Sequence, residues 1–193
     1  MRIEKPVALQ MLNEKVCSCT KCDELARTRT QTVFGEGNPN ADILFLGEAP
    51  GQNEDETGRP FVGKAGQMLD DIIKAMGWKR EDVFICNILK CRPPSNRNPA
   101  SQEAANCKPY LSLQIKVIDP RYIVCLGKIA AYYLLGGADT IEQVTMGQYR
   151  QQIHEYEGRK VLCTYHPSYL LRNPAAKKDV WDDMMYLRKQ CQV

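Results

Sequence analysis

Two pairs of cysteines are the clearest chemical signal in this chain of 193 residues. Cys19 and Cys22 form a C-x-x-C pair near the start, and Cys91 and Cys107 frame a segment rich in proline and polar residues far downstream. Four thiolates suit either a structural zinc ion or an iron–sulfur cluster. The spacing therefore predicts one metal centre that fixes the N-terminal arm onto the middle of the fold. Cys17 is the one rival of Cys19 as a ligand.

Composition and charge narrow the class of protein. The formal net charge is only +3, so a surface that binds nucleic acid has to be local rather than global. Nine cysteines would also suit a secretory disulfide framework, but the count is odd and the charged N-terminus lacks the apolar core of a signal peptide. We therefore expect a reducing, cytoplasmic environment. No run is long and apolar enough to cross a membrane.

The alternation of apolar runs and helical patterns predicts an α/β fold in a single domain over residues 1–193. Continuous apolar runs are typical of parallel strands covered on both faces. We predict strands at 41–46, 82–89, 121–126 and 160–165. Helices are predicted at about 68–76, 99–118, 128–135 and 177–190, the second of them with Asn98 as N-cap and Pro99 in its first position.

The carboxyl ends of these strands carry the candidate site residues, because ligands bind at that edge of an open parallel sheet. Glu48 lies in a turn with two glycines and a proline. Asn87 interrupts an apolar strand, either as a satisfied structural amide or as a group that pairs with one carbonyl and one imide N–H, the edge that uracil presents. Phe61 either packs in the core or stacks on a planar ligand. His166 is either structural or a ligand contact, whereas the other histidine, His154, lies in a charged stretch and is expected to be exposed.

The segment after His166, residues 168–173, is predicted to form a loop, and it offers a second kind of contact. Leu170 and Leu171 are either core residues or an apolar tip that wedges into a duplex, beside cations at Arg172 and Lys177 that could hold phosphates. Arg92 and Arg97 are further candidates for phosphate contacts, with exposed solvated charge as the alternative.

The motifs together closely resemble the family 4 (type-4) uracil-DNA glycosylases, the iron–sulfur members of the uracil-DNA glycosylase superfamily. The resemblance runs from about Cys19 to Arg172, in order. It is carried by C-T-K-C with R-T-R-T, then F-G-E-G, G-E-A-P-G, G-R-P-F-V-G-K-A-G, C-N-I-L-K-C-R-P-P and H-P-S.

The resemblance implies a three-layer α-β-α sandwich around a central four-stranded parallel sheet. It implies a structural 4Fe–4S cluster on Cys19, Cys22, Cys91 and Cys107. It also implies a monomeric repair enzyme that excises uracil from single- or double-stranded DNA in the cytoplasm, at the nucleoid. The implied uracil pocket consists of Gly47, Glu48, Ala49, Phe61, Asn87 and His166, with Glu48, Asn87 and His166 catalytic. The implied DNA contacts are Arg92, Arg97, Ser168, Leu170, Leu171, Arg172 and Lys177.

Three other functions remain open from the sequence. A zinc-stabilised module that binds nucleic acid would be colourless, whereas an iron–sulfur protein is brown. An electron-transfer protein would use the cluster itself and would not need Asn87, Phe61 or His166. A protein that traps uracil-DNA covalently or very tightly would bind without turnover.

Overall fold

A computed structural model describes residues 3–137 and 140–191. One sheet contains the strands β1 (Glu36–Gly37), β2 (Ile43–Gly47), β3 (Phe84–Asn87), β4 (Tyr122–Leu126), β5 (His154–Tyr156) and β6 (Arg159–Thr164). The strand order is β1-β3-β2-β4-β6-β5, in which the inner four strands are parallel and the two edge strands antiparallel. The predicted four-stranded parallel core is therefore confirmed, and two short edge strands extend it.

Helices cover both faces of the sheet. They are α1 (Lys5–Cys17), α2 (Asp23–Thr28), α3 (Gln52–Thr57), α4 (Lys64–Ala75), α5 (Ser101–Ile118), α6 (Lys128–Leu135), α7 (Pro167–Arg172) and α8 (Lys177–Cys191). Apolar side chains of α1, α5 and α6 pack on one face, and those of α4, α7 and α8 pack on the other. The result is the expected α-β-α sandwich, with β2, β3 and β4 fully buried between the layers and β6 buried from Val161 onward.

Three local expectations need correction. α5 begins at Ser101 rather than at Pro99, because the carboxylate of Glu103 accepts the backbone N–H of Ala100 at 2.8 Å and so caps the helix there. The segment after His166 forms the short helix α7 instead of a loop. His154 is half-buried in β5 rather than exposed, and its Nε2 lies 2.9 Å from the Tyr149 carbonyl oxygen.

The helices of the described ranges, 3–137 and 140–191, include none with the length and apolar character needed to span a membrane. Three cysteines outside the predicted ligand set belong to the hydrophobic core. Cys86, Cys125 and Cys163 lie on the inner strands β3, β4 and β6 with no solvent exposure, as the apolar runs around them predict.

Candidate active site

A cleft of about 860 Å³ opens at the carboxyl ends of the inner strands. Its lining comes from within segments 48–51, 93–98, 127–129, 145–147 and 165–172, together with Glu54, Phe61, Ala65 and Asn87. A smaller cavity of about 240 Å³ lies beside Trp78 and Tyr122, at the amino ends of the strands. The larger cleft is the candidate site because the polar strand-end groups that the sequence predicts converge there.

Asn87 ends β3 and directs a buried amide at this cleft. Among the residues described, Asn87 Oδ1 has no hydrogen-bond partner. A buried acceptor left without a partner costs about 1–3 kcal/mol. A ligand that donates an N–H to Oδ1 would remove that cost, so Asn87 is arranged as a hydrogen-bonding group for a bound molecule.

His166 follows β6 and is the N-cap of α7. Its Nδ1 accepts the backbone N–H of Ser168 at 3.1 Å and lies 2.8 Å from the Ser168 hydroxyl oxygen. A backbone N–H can only donate, so the proton of the neutral ring lies on Nε2. Burial, followed by the charge of Arg172, lowers the pKa of His166 to about 4, against an opposing effect of Glu54. At neutral pH, His166 is therefore a neutral donor through Nε2.

Phe61 closes the cleft beside these two groups. Its ring centroid lies 5.6 Å from that of His166, with a tilt of 31°. Its φ of +51° places it in the left-handed region, which is unfavourable for a residue with a side chain. The guanidinium of Arg80 donates to the carbonyl oxygen of Phe61 at 3.2 Å and to that of Pro60. Arg80 thus stabilises a backbone conformation that aims the ring at the cleft.

Glu54 holds the same loop from the other side. Its Oε1 accepts the backbone N–H groups of Val62 at 2.8 Å and Gly63 at 3.1 Å, and its Oε2 accepts that of Gly51 at 3.1 Å. One carboxylate therefore joins the turn after β2 to the loop that carries Phe61. The sequence places Glu54 three residues after Gly51 at the start of a helix, a spacing that predicts such a cap.

Gly47 is the point at which Phe61 and Asn87 meet. A Cβ on Gly47 would collide with Asn87 Oδ1 and would lie 2.6 Å from Phe61 Cζ. Only glycine leaves room for both side chains at the end of β2. The backbone carbonyls of Gly47 and Glu48 accept the N–H groups of Ile88 at 3.0 Å and Leu89 at 3.1 Å, which couples the two strand ends.

Glu48 and Ala49 continue this turn and line the cleft. Burial raises the pKa of Glu48, and the positive charge of Lys128 opposes that rise. The only other carboxylate among the described cleft-lining residues is Glu54, which already accepts three backbone N–H groups. Glu48 is therefore the carboxylate available for a ligand or a water molecule.

The four predicted cysteine ligands are brought together from three distant segments. Burial raises the pKa of Cys107 to about 11, and the neighbouring thiols of Cys91 and Cys22 act in the same direction. Burial likewise raises the pKa of Cys91, where Cys19 and Cys22 add to the rise. Each thiol thus lies within electrostatic range of others in the set.

The surroundings of these thiols fit an iron–sulfur cluster. The Arg29 guanidinium donates to Cys91 Sγ at 3.1 Å, and the Asn106 amide donates to Cys22 Sγ at 3.4 Å, contacts of the kind that tune such clusters. No three His, Cys, Asp or Glu side chains in 3–137 and 140–191 are arranged to hold a single metal ion.

Lys90 lies between the thiols and the cleft. It is fully buried, and its Nζ donates to the backbone carbonyl oxygen of Asn87 at 2.8 Å. The charges of Cys86, Cys107 and Cys91 favour its charged form, against the dominant effect of burial, which lowers its pKa. The segment from Asn87 to Cys91 therefore links the two predicted centres directly.

The predicted DNA contacts divide into two groups. Leu170 is 1% exposed and packs in the core, whereas Leu171 is 44% exposed. Arg97 forms ion pairs with Glu103 at 2.6 Å and Glu24 at 2.7 Å. Leu170 thus takes the core role that the sequence left open. Arg97 is held in ion pairs although it also lines the cleft, a role that the sequence pattern does not reveal.

The remaining predicted contacts lie in or near the cleft. Ser168 and Arg172 line it, and Lys177 is exposed at the start of α8. Arg92 Nε donates to the Asn96 side-chain oxygen at 2.8 Å, and Asn96 also lines the cleft.

Several cleft residues are absent from the sequence prediction. Thr145, Met146 and Gly147 come from the connection between α6 and β5. Tyr165 and Tyr169 flank His166 along the chain and also line the cleft. A signal for the tyrosines was present, since both lie within three residues of His166, whereas nothing local marks 145–147.

Comparison with known proteins agrees with the geometry. Residues 34–185 match the family model described as the uracil DNA glycosylase superfamily. The type-4 uracil-DNA glycosylase of Thermotoga maritima is 46% identical over 166 residues, covering 86% of this chain and 84% of the relative. The corresponding proteins of Sulfurisphaera tokodaii and Archaeoglobus fulgidus are 41% and 40% identical, covering 94% and 95% of this chain and 84% and 94% of their own lengths. The chain belongs to the uracil DNA glycosylase superfamily, in its type-4 branch.

Proposed function

We propose that the protein is a monofunctional uracil-DNA glycosylase of base excision repair. It flips deoxyuridine out of DNA and hydrolyses the N-glycosidic bond, which releases uracil and leaves an abasic site. The observation that carries the proposal is the unpartnered acceptor Asn87 Oδ1 in the same cleft as a donating His166 Nε2–H. The imide N–H of uracil suits the first group, and a uracil carbonyl oxygen suits the second.

The same two groups favour bond cleavage. As the glycosidic bond breaks, negative charge develops on uracil and positive charge on the sugar. The hydrogen bonds that His166 Nε2–H and the Asn87 side-chain N–H donate to uracil carbonyl oxygens strengthen as the uracil anion forms, because preorganised donors in a desolvated site stabilise developing charge. A neutral His166 is sufficient for this role. Phe61 stacks on the base, and the Gly47–Ala49 turn completes the pocket.

Glu48 is proposed to interact with both the sugar and the attacking water molecule. Its ionised carboxylate stabilises positive charge on the sugar, and its position on the turn lets it hold the attacking water. The raised pKa that burial gives Glu48 also makes it a better proton acceptor. This assignment rests on the contrast between the two carboxylates that line the described cleft. Glu54 already accepts three backbone N–H groups, which leaves Glu48 for the ligand.

We assign the metal centre to Cys19, Cys22, Cys91 and Cys107, which would hold a 4Fe–4S cluster. The cluster supplies a cross-link between the N-terminal arm, the segment after β3 and α5, and its role in this proposal is structural. Cysteine thiols persist in a reducing compartment, which supports a cytoplasmic location. The proposed enzyme acts on cellular DNA as a monomer.

DNA is held by the residues around the cleft mouth in this proposal. Arg172, Lys177 and Arg92 hold phosphates, Ser168 contacts the strand and Leu171 fills the space that the flipped base leaves. Uracil in both single- and double-stranded DNA is a substrate.

Single-turnover cleavage of an end-labelled oligonucleotide with one uracil, in the presence of EDTA, tests the function. Alkaline scission reports abasic sites, and oligonucleotides with thymine or cytosine at the same position are the controls. We expect scission at uracil alone. Retention of intact DNA on the protein through a denaturing gel would instead show a covalent trap. No scission and no retention with brown, folded protein would favour an electron-transfer role, and colourless zinc-containing protein would favour a binding module.

A further inference from the structure

Three side chains beside His166 form a stack that the proposed chemistry does not use. The Arg150 guanidinium lies 4.4 Å from the ring centroid of Tyr165. The Tyr169 ring stacks on Tyr165 with centroids 4.8 Å apart and planes 27° from parallel. Two groups this close to one ring do not fit on the same face, so Arg150 and Tyr169 lie on opposite faces of Tyr165. Tyr169 is therefore the outer layer of the stack.

Buried contacts fix the base of this stack. Arg150 Nε donates to Asp183 Oδ2 at 2.7 Å, and its NH2 group donates to the Asp179 carbonyl oxygen at 3.0 Å. Asp183 has no solvent exposure and also accepts the Thr164 hydroxyl at 2.6 Å. A buried charge pair that is fully hydrogen-bonded resists rearrangement, because breaking it leaves an uncompensated charge. The platform is therefore preorganised.

The outer layer faces the cleft. Tyr165 and Tyr169 both line it, as does Arg172, which lies one helical turn after Tyr169 on α7. Tyr169 remains 36% exposed. A tyrosine whose function was only to fill the core would be more deeply buried, so the exposed ring has a surface available for a ligand.

We propose that Tyr169, supported by Tyr165 and Arg150, is a stacking subsite for the nucleobase that neighbours the flipped deoxyuridine on the same strand. This inference rests on the proposed function and adds a second base-binding position to it. Aromatic faces bind any base through stacking, without reading its sequence. Arg172 on the same helix is positioned to hold the phosphate that accompanies that nucleotide.

The proposed subsite favours single-stranded over duplex DNA. In single-stranded DNA a neighbouring base is unpaired and is free to move onto Tyr169. In a duplex the same base has to give up pairing and stacking first. Loss of the Tyr169 ring should therefore weaken binding to single-stranded substrate more than binding to duplex substrate.

Equilibrium binding tests the subsite. The probe is a single-stranded oligonucleotide with one 2′-fluoro-2′-deoxyuridine, whose glycosidic bond resists cleavage, and the fluorescent base 2-aminopurine at either flank. For Tyr169→Ala we expect Kd to rise by roughly five- to 150-fold, the range that loss of base–aromatic stacking gives. Tyr169→Phe, which keeps the ring, should bind within about twofold of the wild type, on the same stacking argument. One flank should fluoresce more brightly in the Tyr169→Ala complex, because the base has lost its stacking partner.

Trp181→Ala is the matched control, since Trp181 is a 47% exposed aromatic residue on α8 that does not line the cleft. It should leave Kd unchanged. Tyr169→Leu keeps apolar volume without a planar ring, and it should behave like Tyr169→Ala, so it serves if the alanine variant does not fold. Wild-type affinity of both ring-less variants, or equal losses in Tyr169→Phe and Tyr169→Ala, would overturn the subsite.

The wild type, assayed on a cleavable uracil oligonucleotide, separates this inference from the function on which it rests. Absence of uracil release there would count against the glycosylase itself. Release by the wild type together with unimpaired binding by Tyr169→Ala would count against the subsite alone.

Discussion

At His166, one backbone hydrogen bond determines which ring nitrogen is the donor. The N–H of Ser168 points at Nδ1, so the proton lies on Nε2. The sequence alone shows a histidine at a strand end, and it does not show the tautomer, because that depends on how the chain turns into α7. The sequence also does not show that the Glu54 carboxylate accepts three backbone N–H groups, because these hydrogen bonds depend on how two loops fold around it.

The pKa of His166 predicts a specific dependence of stability on pH. The imidazole has a pKa of about 6.5 in an unfolded chain and about 4 in the folded protein. Between these values the unfolded chain binds a proton that the folded chain does not. The free energy of unfolding should therefore fall as pH decreases from 6.5 towards 4, and this contribution should be complete above 6.5.

Nitrogen-15 NMR of histidine-labelled protein measures this directly, because the chain has only two histidines. We expect the His166 signals to show the neutral Nε2–H tautomer down to about pH 5, one unit above its pKa of about 4. A His166→Asn variant serves to assign the signals and should lack this part of the pH dependence of unfolding. A midpoint near 6.5 for His166 would contradict the proposed neutral donor.

At the scale of elements, the end of β3 connects the two centres. Asn87 is its last residue, and Cys91 follows four positions later, with Lys90 hydrogen-bonded back to the Asn87 carbonyl. Apolar runs predict the inner strands well because each is buried on both faces. The two- and three-residue edge strands have no such pattern, and the start of α5 depends on Glu103, whose capping role competes with the Asn98-Pro99 signal in the sequence.

The proposed ligand set predicts a sharp difference between Cys107, a proposed ligand, and Cys17, which lies outside the set. Cys107→Ser should lose bound iron and visible colour and should unfold at a lower temperature, because metal binding and folding are coupled. Cys17→Ser should keep iron and colour. The Cys17 thiol is exposed and lies 3.6 Å from the Asn13 side-chain oxygen and 3.4 Å from the Thr32 hydroxyl.

Iron analysis, visible absorption and thermal unfolding of both purified variants provide the comparison. Loss of iron from Cys17→Ser, or retention of wild-type iron content by Cys107→Ser, would show that the ligand set is assigned incorrectly.

At the scale of the whole molecule, the site is the edge of the sheet where four parallel strands end. That edge was predictable because strand direction follows from the α/β alternation and polar residues follow each strand. The contribution of 145–147 was not, since it depends on how a distant segment packs against the strand ends. Leu170 and Leu171 are adjacent residues of the same type, so the sequence does not distinguish them. In the structure Leu170 is buried and Leu171 is exposed.

Two arginines at the cleft should respond differently to removal. Arg172 is exposed and makes no ion pair within the described residues, whereas Arg97 is paired with Glu24 and Glu103. If Arg172 holds one phosphate, Arg172→Ala should reduce the slope of log affinity against log salt by about 0.9 on duplex DNA. Arg97→Ala should instead lower thermal stability and leave the slope unchanged.

Binding to a uracil-free duplex over a series of salt concentrations measures both slopes. An unchanged slope in Arg172→Ala, or a reduced slope in Arg97→Ala, would show that the phosphate contacts lie elsewhere on the cleft.

Asn87 is central to the proposed function, because its amide oxygen accepts the uracil imide N–H and its amide N–H stabilises the uracil anion. The most direct measurement is the single-turnover rate of uracil release by Asn87→Ala, with Asn40→Ala as a control on an exposed asparagine outside the cleft. We predict that Asn87→Ala is slower by roughly 10²- to 10³-fold, the loss typical of one donor in an anion site, and that it remains folded, while Asn40→Ala matches the wild type. A near-wild-type rate for Asn87→Ala would contradict the account.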